Sequence, residues 1–350
     1  MPRSAGLSPR WRLPLLLLGF LCLVAGISGG LARVGFGTAA LVDASIPLHG
    51  VLMVSAFFGT VISLERAAAL DRVWAYGAPL ACGIGGIALL GGATAAGLWL
   101  FAAGAAVLVA VSQVLVQRHP TLEGCTLVVA AGCWLAGNVL LALGAPVSLQ
   151  LGWWIGFFAL TIGAERLELS RYVPRSRAAQ ALFAAIALLL VAAPLGSLQW
   201  TGIALVALAA WLFAYDLART TIRTTGLARY IAACLLAGYA WLALGGALFA
   251  VGGAQDAAVH AVLVGFVFSM VFGHAPVIVP AVLRRPLPYT PWFYLPLVLL
   301  HVSLAARVAG SLAGEPAVRA GASAANALAI AAFITIAAAQ ALRQGIRRDR

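Results

Sequence analysis

Runs of about twenty apolar residues follow one another along almost the whole chain, broken only by short stretches holding arginine, glycine or proline. A helix of that length rises ~30 Å, the thickness of a hydrocarbon core. Strands of a membrane barrel would alternate polar and apolar residues, and these runs do not. Only 9% of the 350 residues are charged, against roughly a quarter in soluble domains, which excludes a water-soluble globular fold. What remains is an all-α, polytopic integral membrane bundle. Breaks at charged residues and at Gly or Pro give twelve spans: 13–32, 46–64, 74–92, 95–117, 121–144, 147–166, 178–196, 200–218, 227–251, 257–282, 292–312 and 324–343. The first follows Arg3, Arg10 and Arg12 in the manner of a signal peptide. It has no convincing cleavage site after it and reads as the first membrane helix.

The formal net charge of +12 comes from arginine alone, since the chain has no lysine. In a soluble protein that excess would suggest nucleic acid; among membrane spans it reports topology. With the N-terminus inside, three of the 22 arginines (Arg33, Arg307 and Arg319) fall on the outer side and nineteen on the inner. The reading is a bacterial-type inner membrane with both termini cytoplasmic, the lipid bilayer as partner and no nucleic acid. All five cysteines (Cys22, Cys82, Cys125, Cys133 and Cys234) fall inside apolar runs without CxxC spacing. They read as small buried residues and not as a disulfide framework.

A repeat is visible within the single transmembrane domain, 1–350. At an offset of one hundred residues, Phe57-Phe58 matches Phe157-Phe158, Ile62 matches Ile162, and Glu65-Arg66 matches Glu165-Arg166. Ala25-Gly26, Ala136-Gly137 and Ala237-Gly238 precede the outer loops leading to spans two, six and ten, and Gly29-Gly30 echoes Gly245-Gly246. Three pseudo-repeats of four helices, at about 13–117, 121–218 and 227–343, are expected around a central axis.

Ionisable groups within a bilayer are costly and mark function. His119 sits in the turn Arg118-His119-Pro120 and reads as a solvated loop residue; His49, His260, His274 and His301 lie inside spans. His49 opens span two and His260 opens span ten, at the same depth below the outer end and at equivalent repeat positions, where the middle repeat has Leu149. Two neutral imidazoles across a bundle axis suit the axial positions of a low-spin haem iron. The alternative is that each histidine is bonded to nearby backbone or hydroxyl groups. Met53, one turn below His49, either packs or offers an alternative axial ligand. Arg33, Arg307 and Asp43 stand on the outer side, where guanidinium groups would meet haem propionates or snorkel to headgroups. His274 and His301 are each ~15 Å from the inner end on consecutive helices. They are candidates for a second haem or a copper ion, for proton relay, or for structural bonds to hydroxyls and carbonyls. His274 is fourteen residues after His260 and so lies near the same face of an unbroken helix, and Gly273, Pro276 and Pro280 suggest local loosening with freed carbonyls. Glu65-Arg66 and Glu165-Arg166 read as interfacial ion pairs or as a proton entry point.

His49-Gly50-Val51-Leu52-Met53 followed by Phe57-Phe58 resembles the second-helix haem-ligand motif of the haem–copper oxidase superfamily. The catalytic subunit of that superfamily is also a bundle of twelve helices with three-fold pseudo-symmetry. The resemblance implies that His49 and His260 clamp a haem b near the outer face. In size and style the chain is also similar to the NnrS family, membrane proteins with haem and copper linked to nitric oxide stress. Two departures stand out. The oxidases carry copper ligands on helices six and seven, where this chain has no histidine, and they place two histidines close together on helix ten. Catalysis is therefore left open. The expected role is electron transfer or nitric oxide handling with haem b, with copper or a second haem as an addition. A redox partner protein or quinol and a small gaseous ligand would be its partners. A secondary transporter, or an accessory or assembly subunit that has lost its catalytic metals, is the alternative. Inverted transporter repeats need an odd number of helices per unit, and the apparent repeat here is four.

Overall fold

The computed structural model describes residues 6–37, 45–169 and 176–348. These residues form helices and connecting turns, with no strand among them. The long helices are α1 (Pro9–Arg33), α2 (His49–Leu70), α3 (Val73–Leu90), α4 (Thr94–Arg118), α5 (Leu122–Ala142) and α6 (Val147–Leu169). They continue with α7 (Arg177–Gly196), α8 (Leu198–Tyr215), α9 (Gly226–Val251), α10 (Gln255–Leu283), α11 (Pro291–Ala313) and α12 (Pro316–Arg348). Among the described residues, eleven of them are long and apolar enough to cross a membrane. The other, α6, is 23 residues long. This is a multi-pass, all-helical membrane protein.

Local chemistry sets the helix ends. Proline stands at the first position of α1, where its missing N–H costs nothing. Thr121 and Ser176 cap α5 and α7 by accepting from Gly124 N and Ala179 N, both at 3.1 Å. The helices are apolar on both sides, as a lipid-facing bundle requires. On α1, Leu17, Leu21 and Val24 are exposed, whereas Gly19, Cys22 and Gly26 are buried against neighbouring helices. Of the cysteines, Cys22, Cys82, Cys133 and Cys234 are buried and none forms a disulfide; Cys125 departs from the expectation and is exposed.

The chain divides into two compact units, 1–164 and 165–350. In the first, α1 lies against α2, with Gly26 beside Met53 and Gly30 beside His49. Cys22, Leu52, Ala56, Leu89 and Phe101 form a core of small and large residues. The aromatic pairs that align in the sequence meet here: Phe58 and Phe158 pack edge to face at 5.0 Å, and Trp134 stacks on Phe157 at 5.2 Å. A buried polar knot accompanies them, in which Asn138 Oδ1 accepts from Ser55 Oγ at 2.6 Å and from Trp154 Nε1 at 3.2 Å. In the second unit, α9 lies against α10 through Gly238 beside Met270 and Gly245 beside Val262. Phe272 of α10 stacks on Phe333 of α12 at 4.1 Å.

Two helices are not regular. In α2, His49–Val51 is α-helical, Leu52–Phe58 opens into a π-helix, and Gly59–Leu70 returns to α. In α10, Gln255–His260 is α-helical, Ala261–Phe268 is π, and Ser269–Leu283 is α. The expected loosening of span ten around Gly273, Pro276 and Pro280 is therefore displaced; the helix runs on through both prolines and widens upstream of them. Each extra residue taken up by a wide turn sets the following side chains back by about 100°. The count that put His260 and His274 near one face of an unbroken helix accordingly does not hold.

Close packing of small residues gives the first testable outcome. A Cβ at Gly86 would meet Cys22 Sγ and the Ala56 Cβ, whereas one at Gly132, also mid-helix, would meet nothing within 4 Å. Gly86→Ala should cost about 1–3 kcal/mol, and Gly132→Ala should be neutral or stabilise by up to about 1 kcal/mol. Thermal unfolding in detergent would show the two midpoints moving apart.

Candidate functional site

The intramembrane histidines fall into distinct hydrogen-bonding states, and their partners fix their tautomers. His49, at the start of α2, has Nδ1 2.6 Å from the carbonyl oxygen of Gly26. A carbonyl only accepts, so Nδ1 carries the proton and the imidazole lone pair is on Nε2. The ring fits against α1 because residue 30 is glycine: a Cβ there would lie 2.7 Å from His49 Cε1. Met53 packs with its sulfur against Gly26 on the same surface.

His260 and His274, both on α10, repeat one arrangement. Each has Nδ1 on the carbonyl four residues earlier: Asp256 O at 2.7 Å for His260, and Met270 O at 2.8 Å for His274. Each presents its Nε2 lone pair to an arginine from another helix. Arg307 Nη2 is 3.0 Å from His260 Nε2, and Arg166 Nη1 is 3.4 Å from His274 Nε2. Each arginine in turn holds an aspartate. Arg307 Nη2 is 3.3 Å from Asp256 Oδ2. Arg166 donates from Nε to Asp216 Oδ2 at 2.8 Å and from Nη2 to Oδ1 at 3.3 Å. The structure therefore contains two His–Arg–Asp clusters along one helix. In the first, Asp256 is half exposed, Ser311 Oγ donates to it at 3.4 Å, and Arg307 also reaches Ser323 Oγ. In the second, Arg166 and Asp216 are 6% and 5% exposed, and the buried ring of Tyr239 adjoins them. Asp216 Oδ1 additionally accepts from Ala218 N at 2.6 Å, tying the cluster to the turn that follows α8.

Several sequence expectations change here. Arg166, expected at an interface beside Glu165, is buried and bonded to Asp216, fifty residues away. Arg307 is likewise buried, held by Asp256 and His260 and not turned to headgroups. Arg33 is exposed in the last turn of α1, and Asp43 lies outside the described residues. His119 is exposed at the end of α4, as expected. His301 takes the opposite tautomer from the others. Its Nδ1 accepts from Trp241 Nε1 at 2.9 Å, and its Nε2 is 3.3 Å from Ser269 Oγ, which donates to Cys234 O at 2.7 Å. Both nitrogens are spent on protein groups, so this state offers no lone pair for a metal shared with His274. Among the described residues, no group of three or more His, Cys, Asp or Glu side chains is placed to hold a metal ion. Asp216 and Asp256 went unnoticed in the sequence. Asp256 stands four residues before His260, a helical spacing that signals contact; Asp216 has no local signal.

These features define a polytopic helical membrane protein with charged side chains fixed inside it. The chain belongs to the DUF8744 family, described as a domain of unknown function, whose model matches residues 12–342. No curated protein and no solved structure matches it.

The buried pair has a measurable consequence. Asp216→Asn leaves the Arg166 charge without its counter-ion and should cost about 3–5 kcal/mol. The pair between Arg12 and Asp71 is 3.9 Å long, with the arginine buried and the aspartate 39% exposed; Arg12 also donates to Leu7 O at 2.9 Å, so Asp71→Asn should cost less, about 1–2 kcal/mol. Denaturation midpoints of the two variants in one detergent would separate a buried role from an interfacial one.

Proposed function

We propose that the protein is a haem-binding membrane protein in which His49 and His260 are the two axial ligands of a low-spin haem b. One observation carries this reading: each histidine stands within three residues of a π-helical stretch and has its Nδ1 on a backbone carbonyl. Wide turns of this kind gather at functional sites. A ring N–H held by a carbonyl is also the usual support of a histidine that ligates through Nε2. The donor set fits the group, because a porphyrin needs only two nitrogens from the protein. At His260 the lone pair is occupied by Arg307, and Arg307 would have to release it for His260 to hold the iron. Arg307 and Arg33 would then be available to the haem carboxylates. The haem would supply reversible one-electron chemistry or diatomic gas binding. The role that follows is electron transfer or nitric oxide handling, served by a quinol or a redox protein.

The reading includes twelve spans in three repeats of four, with both termini cytoplasmic. The three echoed glycines support it: Gly26, Gly137 and Gly238 each receive a large side chain of the following long helix, Met53, Trp154 and Met270 respectively. Reporter fusions at Gly144 and Gly253 should read as periplasmic, and fusions at His119 and Arg285 as cytoplasmic. The inverse pattern would reject the orientation and, with it, a haem near the outer face.

A second reading, a secondary transporter, draws on the Arg166–Asp216–His274 cluster. Buried ionisable groups in membrane proteins mark ion and substrate paths. The absorption spectrum of the purified protein discriminates between the two. A bis-histidine haem gives sharp reduced bands and little affinity for carbon monoxide. His49→Ala or His260→Ala should each turn the iron high-spin or release the haem, and Leu149→Ala should change nothing. A colourless protein, or single variants that keep the wild-type spectrum at full occupancy, would sink the haem assignment.

A further inference from the structure

Where α9 begins in the second unit, the structure has an open cavity of about 410 Å³, a size within the range of small-molecule sites. One wall is the first turns of α9, carrying Thr225 and Arg229; the other carries Tyr289 and Tyr294. The tyrosine wall is braced from behind. The ring of Tyr230 is fully buried and packs against Tyr289 at 5.9 Å and, edge on, against Tyr294 at 5.2 Å. Ile222 and Ala233 contribute an apolar part of the lining. No lining residue is acidic. The two stretches that form the cavity, 217–233 and 284–294, hold five arginines and no aspartate or glutamate. The acidic residue just before the first stretch, Asp216, is committed to Arg166. The cavity is thus a concavity lined by one guanidinium, that of Arg229, with hydroxyl donors on both walls and an apolar patch.

We propose that this cavity binds a phosphate group, with Arg229 as the cationic anchor and Thr225, Tyr289 and Tyr294 as hydroxyl donors. A phosphate offers several acceptor oxygens in a compact tetrahedron. A planar guanidinium engages two of them at once, and phenol and threonine hydroxyls serve the others. Thr225 makes no side-chain cap bond to the first turn of α9, so its hydroxyl is not committed to the helix it precedes. Ile222 and Ala233 would receive the carbon portion of a phosphate that carries one. The same chemistry is presented by the headgroup of an anionic phospholipid and by a soluble phosphate, and basic pockets beside membrane helices are known to take lipid headgroups. The site is separate from the histidine clusters and does not depend on haem.

The test uses the full-length protein, stripped of lipid in a maltoside detergent, with thermal unfolding followed during titration. One arm adds phosphatidylglycerol and the other adds inorganic phosphate. Stabilisation of the wild type in the first arm assigns a membrane lipid, and stabilisation in the second assigns a soluble phosphate. In whichever arm responds, Arg229→Ala should weaken half-saturation by roughly tenfold, the loss of about one charge-assisted pair. Arg229 is exposed, so its truncation leaves the packing in place. Tyr294→Phe, which removes only a hydroxyl, is the second variant and should weaken binding in the same arm. The proposal is overturned if neither ligand stabilises the wild type, or if both variants respond as the wild type does.

Discussion

Hydrocarbon offers no hydrogen-bonding partner, so every polar group carried into it must be answered from within the protein. The four intramembrane histidines follow this rule in two ways. Three donate from Nδ1 to a main-chain carbonyl, and in two of these an arginine is seen on Nε2. The fourth, His301, is wired through Trp241 and Ser269 to a carbonyl of α9. Glycine makes these contacts geometrically feasible. The carbonyl of Gly26 can reach the His49 imidazole because the turn above it has no side chain at residue 30. Small residues and satisfied imidazoles are thus one device seen from two sides.

The two His–Arg–Asp clusters give α10 a particular character. It is the helix on which both charged networks converge, and each network is closed by an arginine brought from a different helix, α11 in one and α6 in the other. In each the aspartate balances the guanidinium, so the histidine interacts with a neutralised group and not with a bare charge. The half-exposed Asp256 and the buried Asp216 nevertheless place the clusters in different dielectric surroundings. The first is the one that a ligand could rearrange at modest cost, whereas the second is costly to break because water cannot replace the lost partner.

Much of the architecture was legible because membrane helices are read from length and composition, with little need of periodicity. The expected span 178–196 appears as Arg177–Gly196, and 121–144 appears as Leu122–Ala142. The aligned pairs Phe57-Phe58 and Phe157-Phe158 come into contact. What the sequence concealed depends on pairing across the chain. Arg166 looked interfacial because its neighbour is Glu165, and nothing local names Asp216 as its true partner. The wide turns were hidden too. Leu52–Phe58 and Ala261–Phe268 have ordinary apolar compositions, so the extra residue per turn leaves no trace in hydropathy, yet it changes which side chains share a face. The histidines themselves were readable as ionisable residues inside apolar runs, whereas their tautomers emerged only with their partners.

The distance along the chain between Arg166 and Asp216 bears on how the protein is made. A ribosome delivers about 5–20 residues per second, so the fifty residues separating the pair take roughly 3–10 s to emerge. During that interval α6 is complete while its counter-ion has not yet been synthesised. A guanidinium without a partner is costly at the bilayer centre and far less so near the headgroups. Arg166 thus meets Asp216 only after α8 has left the ribosome, so the bond between α6 and α8 forms late.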